Sequence, residues 1–168
     1  ECPEEQLLKL WEGLGYYNRV RNMQLAAITV MEQHGGSLPA DYDELRKLKG
    51  IGNYTAGAIA SIAYGIPVPA VDGNVLRVIS RIKENGGDIL KQSVKKEMER
   101  QLSEILPEDC PGDFNQALME LGAVVCVPNG APHCGECPVK AFCLACRNGT
   151  QEAYPVKAQK KERKIEER

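Results

Sequence analysis

The chain has 168 residues, 43% of them apolar and 26% charged, with a net charge of −2. That length supports one domain or two small lobes, and the composition excludes collagen-like, low-complexity, wholly disordered and disulfide-dense architectures. No run approaches the roughly 20 apolar residues of a membrane span, so no membrane anchor is expected.

Charge is distributed unevenly. From Lys157 onward there are six Lys/Arg and three Glu, which leaves the body of the chain at −5. A nucleic-acid site in that body must be local, built from backbone amides and a few placed cations rather than bulk charge. The chain opens on Glu1 with no basic segment and apolar stretch behind it, so no leader is read, and the expectation is an intracellular fragment.

In chain order, Pro3, Glu4 and Glu5 open a periodic segment through Leu7, Leu8, Leu10, Trp11 and Leu14, which Gly13 and Gly15 stop. Helix resumes near Arg19, with Val20, Met23, Ala27, Val30 and Met31 as its apolar stripe and Gly35-Gly36 as its end. Asp41 caps a short helix to Leu48, Gly50 and Gly52 interrupt it, and a second helix spans 53–64 before Gly65. The run Ile66-Pro67-Val68-Pro69-Ala70-Val71 must be extended, because each proline restrains the residue before it and offers no donor.

Asp72 opens the next helix, to about Arg81. A further helix runs from Ser93 to Leu106, and Asp113 with Gln116 makes a capping-box pattern for one reaching Cys126. Beyond lies a proline-rich loop with cysteines and a short helix over 139–145. No useful alternating pattern is present, so the fold class is all-α.

Leu48-Lys49-Gly50-Ile51-Gly52-Asn53-Tyr54 has the form of a helix, a Gly-x-Gly hairpin and a second helix. Two glycines at positive φ would bare the backbone, and the N–H groups opening the second helix could face a phosphate without any net charge. A plain helix–turn–helix connection is the structural alternative. Asp72 stands where the extended segment becomes a helix, at the positive end of a helix dipole, and a simple N-cap is its structural alternative.

Taken with Gly13-Leu14-Gly15-Tyr16-Tyr17-Asn18-Arg19, Thr55-Ala56-Gly57-Ala58-Ile59, Val71-Asp72-Gly73-Asn74-Val75, Phe114-Asn115-Gln116-Ala117 and Glu120-Leu121-Gly122-Ala123, these motifs resemble the MutY-type adenine DNA glycosylases of the helix-hairpin-helix superfamily. The resemblance implies base-excision repair: removal of adenine mispaired with 8-oxoguanine or guanine in double-stranded DNA by a monomeric N-glycosyl hydrolase. In a bacterium it would be cytoplasmic and nucleoid-associated.

The resemblance makes Asp72 the carboxylate that stabilises the oxocarbenium-like sugar, with Asn74 supporting it and Tyr54 lining the site. Tyr16 would wedge beside the damaged guanine, with Tyr17, Arg19, Lys49, Gly50, Gly52 and Asn53 also meeting DNA. Endonuclease III-like relatives resemble a lysine at the position of Tyr54 and Asp-Thr-His where this chain has Asp-Gly-Asn. Tyrosine cannot form the Schiff base of a lyase, which disfavours that pyrimidine-specific alternative; a DNA-binding-only module is the other.

Cys126, Cys134, Cys137 and Cys143 form a Cys-x7-Cys-x2-Cys-x5-Cys run. Four thiolates with one tight pair can hold a metal centre, and spacing alone leaves a [4Fe-4S] cluster, a structural zinc and a disulfide framework open. The resemblance favours the cluster, although its usual first spacing is x6, so Cys146 could substitute as a ligand. Cys2 and Cys110 are peripheral, and His133 reads as a loop residue facing solvent.

The expected organisation is a partial six-helix barrel over 1–66 with the hairpin motif at about 42–64, a cluster domain over 67–148 carrying Asp72, and a charged linker over 149–168. By the resemblance, the glutamate that protonates departing adenine belongs to an N-terminal helix upstream of Leu7–Arg19, and Glu4, Glu5 and Glu12 do not inherit its role. The expectation is a catalytic-domain fragment lacking that helix and a C-terminal domain, and inactive alone.

Overall fold

The structure, a computed structural model, describes residues 2–158. Among these residues there are eight α-helices and no strand: α1 (Glu4–Leu10), α2 (Tyr17–Gln33), α3 (Tyr42–Lys47), α4 (Asn53–Tyr64), α5 (Gly73–Lys83), α6 (Gln92–Ser103), α7 (Pro111–Glu120) and α8 (Leu144–Asn148). No helix among them is long and apolar enough to cross a membrane. The chain divides into two compact units, one running to Ala70 and including Leu106–Asn115, the other comprising Val71–Ile105 and the residues from Gln116 onward.

In the first unit, Val30, Leu45, Leu48, Ala56 and Ala60 form one buried cluster, with Ile51, Ile59 and Ile66 packed against it. Asp41 caps α3 through its carboxylate, which accepts from the Glu44 N–H at 2.8 Å. Helix α2 begins two residues before Arg19, and of its apolar stripe Val20 and Val30 are buried while Met23 and Met31 are exposed. Periodicity locates a stripe, but what covers it depends on packing partners.

The proline-stiffened segment lies directly on α4. A Cβ at Gly57 would stand 2.4 Å from the Pro69 carbonyl oxygen, so only glycine allows this approach. Asn115, on α7 and 2% exposed, completes the segment's hydrogen bonding. Its Oδ1 accepts from the Ala70 N–H at 3.0 Å, and its Nδ2 donates to the Val68 carbonyl and the Ser61 hydroxyl, each at 2.9 Å. A buried backbone that two prolines have stripped of donors needs such a side-chain partner. Helix α7 starts at Pro111 rather than at an Asp113 cap, with the Phe114 N–H bonded to the Cys110 carbonyl. Proline suits a first helical position because its missing N–H is not needed there.

The second unit is organised around α5, which packs against α6, α8 and a π-helical turn over Leu121–Val125. The helix expected to reach Cys126 is thus α-helical only to Glu120 and then widens, with the Cys126 N–H reaching the Leu121 carbonyl at 2.7 Å. Helix α6 ends at Ser103, three residues before Leu106. The loop helix comes as a 3-10 turn (Lys140–Phe142) followed by α8. Residues 149–158 of the expected linker include a 3-10 turn, Gln151–Ala153, whereas 159–168 lie outside the described residues.

Candidate functional site

The hairpin and its surroundings occupy the first unit. Gly50 takes φ +82°, and a Cβ there would meet the Asn22 Cβ at 2.7 Å, so glycine is required on two counts. Gly52 differs from the sequence expectation: its backbone is extended, with φ −93° and ψ −178°, and open space surrounds it. It N-caps α4 with no side-chain cap, leaving the helix opening clear. Tyr16, Tyr17, Arg19, Lys49 and Gly50 line one groove of about 1090 Å³, while Gly52, Asn53 and the half-exposed Tyr54 lie outside its lining.

Tyr16 stands out among these. It adopts a left-handed conformation, φ 49° and ψ 46°, which costs a non-glycine residue roughly 1–3 kcal/mol, and it is 84% exposed. The preceding turn is held by Trp11, whose indole N–H donates to the Gly15 carbonyl at 2.9 Å. The Arg19 guanidinium lies 6.0 Å from the Tyr16 ring centroid. An exposed aromatic ring is therefore held out from the start of α2 by a braced, strained backbone.

In the second unit, both oxygens of the Asp72 carboxylate are engaged. Oδ1 accepts from the Val75 N–H and Oδ2 from the Asn74 amide, each at 2.8 Å. Asn74 Oδ1 in turn accepts from Arg77 Nη2 at 2.8 Å, and Arg77 also donates to the carbonyls of Gly122 and Cys126, both at 2.7 Å. Asp72, Asn74, Arg77 and the backbone at the first cysteine of the run thus form one continuous hydrogen-bonded chain. Burial lowers the Arg77 pKa below its ordinary value; the nearby Cys126 opposes this. Gly122 allows the close fit, because a Cβ there would stand 2.6 Å from the Asn74 Cβ.

The cysteine run lies a few residues further on. Cys126, Cys134, Cys137, Cys143 and also Cys146 line a single small cavity of about 20 Å³. Arg81, 5% exposed, borders it: Nη1 lies 3.2 Å from the Cys126 sulfur and donates to the Val127 carbonyl at 3.1 Å. Its Nε donates to the carbonyls of Gln151 and Tyr154, each at 3.0 Å. Burial raises the Cys134 and Cys143 thiols above their ordinary value, and the neighbouring thiols add to this.

No group of three or more His, Cys, Asp or Glu side chains among the described residues is arranged to hold a metal ion. The thiols surround a space rather than a point, and all are free of disulfides. His133 is exposed, with Nδ1 3.2 Å from the Val124 carbonyl. Tyr54 belongs to the first unit and Asp72 to the second.

Arg77, Arg81 and Gly122 are the residues that sequence reasoning did not assign. The spacing of Asp72, Asn74 and Arg77 puts them at the first turns of one helix, which was a usable local signal. Apart from Asn74 and Gly73, the partners of Arg77 lie more than forty residues away, as do those of Arg81, and they gave none.

A hairpin between two helices, a proline-stiffened segment and an aspartate-capped helix together define the helix-hairpin-helix fold of base-excision repair proteins. Residues 1–108 match the HhH-GPD superfamily base excision DNA repair protein family. The chain belongs to that superfamily. It is 45% identical over 149 residues to the adenine DNA glycosylase of Homo sapiens, covering 88% of this chain and 27% of that protein. The adenine DNA glycosylase of Buchnera aphidicola subsp. Acyrthosiphon pisum is 36% identical over 157 residues, covering 94% and 45%.

The chain thus spans less than half the length of these relatives. Among solved structures, a non-covalent endonuclease III–DNA complex aligns with a TM-score of 0.74 and 30% identity over 89% of this chain and 68% of that one. A thermostable thymine-DNA glycosylase aligns with a TM-score of 0.73 at 25% identity, covering 88% and 67%.

Proposed function

We propose that this chain carries the DNA grip and the charge-stabilising carboxylate of an adenine DNA glycosylase acting in base-excision repair. The observation that carries the reading is the fixed Asp72 carboxylate, held by the Val75 N–H and Asn74 while Arg77 holds Asn74. Cleaving an N-glycosidic bond builds positive charge on the deoxyribose, and a carboxylate that needs no reorganisation stabilises that charge or captures the sugar before water attacks. Tyr54 has no amine, so the strand-cutting imine chemistry of a lyase is not available to it.

Duplex DNA with an A:8-oxoguanine or A:G mispair is the proposed substrate, bound by a single copy of the protein inside the cell. Gly50, Gly52 and Asn53 would bring α4's opening to a phosphate, with Lys49 and Arg19 adding charge. Tyr16 and Tyr17 would enter the helix beside the lesion, and the strained, 84% exposed Tyr16 suits a wedge.

Cys126, Cys134, Cys137 and Cys143, which line one cavity, would hold a [4Fe-4S] cluster, with a structural zinc as the alternative that metal analysis distinguishes. These thiols, when bound to it, would link the cysteine loop to the start of α8. This chain's part is to present thiols beside Arg81 and to fix the turn that displays the exposed Lys140.

The test uses the protein at full length. Asp72→Asn should abolish adenine release from an A:8-oxoguanine duplex while preserving binding, since the amide keeps the size and removes the charge. Borohydride should trap no covalent adduct. Undiminished release by Asp72→Asn, or an adduct lost on mutating Lys49, would reject the assignment and restore the bifunctional endonuclease III-like reading.

A further inference from the structure

We infer that Glu84 is a positioning residue for the cysteine site: it latches the segment that follows α8 and so sets how far the outer side of the thiol cavity stands open. What the cavity holds rests on the cluster reading above, whereas the latch rests on contacts of its own.

Glu84 closes α5 in a left-handed conformation, φ 48° and ψ 43°. Glycine is the favoured residue at such a helix end, because a Cβ is crowded there. A glutamate held in that conformation is explained by what its side chain reaches. Oε2 accepts from the Asn148 amide at 2.8 Å, and Oε1 accepts from the Thr150 hydroxyl. Asn148 is the last residue of α8, so one carboxylate spans the Gly149 turn that ends this helix. One turn earlier on α5, Arg81 grips the backbone of the same segment through the Gln151 and Tyr154 carbonyls. Those contacts would tolerate any side chain at 151 and 154, whereas Glu84 requires the side chains of Asn148 and Thr150.

The latched segment lies between two spaces. Gln151 lines the inner cavity with the five cysteines, while residues 149–153 form one wall of an outer crevice opposite Ala131, Pro132 and Cys134. Of the cysteines that line the cavity, Cys134 alone also borders the crevice. Releasing the segment therefore widens the crevice at Cys134 and opens the thiols to water and oxidant from that side.

The experiment follows iron release from anaerobically purified protein to excess chelator, read as the fall in absorbance near ~400 nm. Glu84→Gly removes the carboxylate but also relieves the left-handed backbone, so a role confined to the fold would leave release unchanged or slower. The latch predicts release about tenfold faster or more. Asn148→Ala combined with Thr150→Ala leaves α5 untouched and should match it, and adding Glu84→Gly to that pair should bring no further increase. Glu84→Gln keeps one acceptor oxygen and should fall between. Alkylation during release should label Cys134 before Cys137.

Release at or below the wild-type rate in Glu84→Gly or in the paired variant, rates that multiply on combination, or Cys137 labelled first would overturn the inference. Wild-type protein with zinc or without iron would overturn the cluster reading alone. Hydrogen exchange then tests the latch by itself: the Thr150 N–H, bonded to the Ala145 carbonyl at 2.9 Å, should exchange severalfold faster in Glu84→Gly, and an unchanged rate would overturn it.

Discussion

In the first unit the most completely buried side chains are apolar, Leu45, Ala56 and Ala60 among them, whereas the organising helix of the second buries two guanidinium groups, Arg77 and Arg81, beside Val75 and Val78. The apolar cluster supports a hairpin that offers backbone to its surroundings. The buried arginines fix a carboxylate, two backbone turns and a ring of thiols. An apolar core loses stability in proportion to the volume removed, while a buried polar network fails as a set, because each lost donor strands acceptors that water cannot reach. The fixed carboxylate of Asp72 thus depends on a guanidinium group, that of Arg77, which α5 buries among its apolar neighbours.

The largest expected effect comes from the apolar side of this comparison. Leu45→Ala should destabilise the first unit by about 4 kcal/mol, the cost of a cavity at a fully buried leucine, read from urea unfolding. Hydrogen exchange should place the loss in α3 and α4; equal loss in α5 would mean that the units unfold as one block. Arg77→Met comes next, at about 3 kcal/mol, since it leaves Asn74 Oδ1 and the carbonyls of Gly122 and Cys126 without their donor. A neutral result would show that the guanidinium is ballast and that packing alone holds Asp72.

Gly57→Ala should follow at about 2 kcal/mol, because the added methyl meets the Pro69 carbonyl oxygen at 2.4 Å and must push the extended segment off α4. Gly52→Ala provides its counterpart, with open space around the Cβ and no structural penalty from contact. Its unfolding curve should match wild type, so that any loss of duplex affinity at fixed salt reports a phosphate approach and nothing else.

How far these features could be read from sequence follows from the range of the interactions that make them. Helix α4 was bounded correctly at both ends by Gly52-Asn53 and Gly65, and Asp41 and Asp72 were recognisable as caps, because caps and left-handed stops act over three or four residues. The common setting of the five cysteines could be anticipated from their density. The π turn could not, since its Gly122 packs against Asn74, a residue far away in sequence. Asn115 was only part of a resembling motif until its bonds to Ala70, Val68 and Ser61, 45 to 54 residues away, gave it a physical reason. Met23 and Met31 have the right period and remain exposed, because periodicity marks a face without supplying its partner.

The smallest effect should come from a third arginine of the second unit, Arg100, which is exposed. On α6 it pairs with Glu97 at 2.8 Å and with Glu104, and Glu97 is held down to about 2, first by its hydrogen bond from Arg100 and then by that from Gln101. A depressed carboxylate adds stability above its unfolded value of about 4.3 and loses it as the pH falls toward the folded value. At low salt, wild type should therefore exceed Glu97→Gln slightly at neutral pH, with the difference fading between about pH 4 and 2. Since Glu97 is exposed, salt near ~1 M, where the Debye length falls to about 3 Å, should weaken the pair and bring the two unfolding curves close together at every pH. A gap that survived the salt would mean that an exposed guanidinium bears weight comparable to Arg77, and burial would no longer explain why the second unit depends on its arginines.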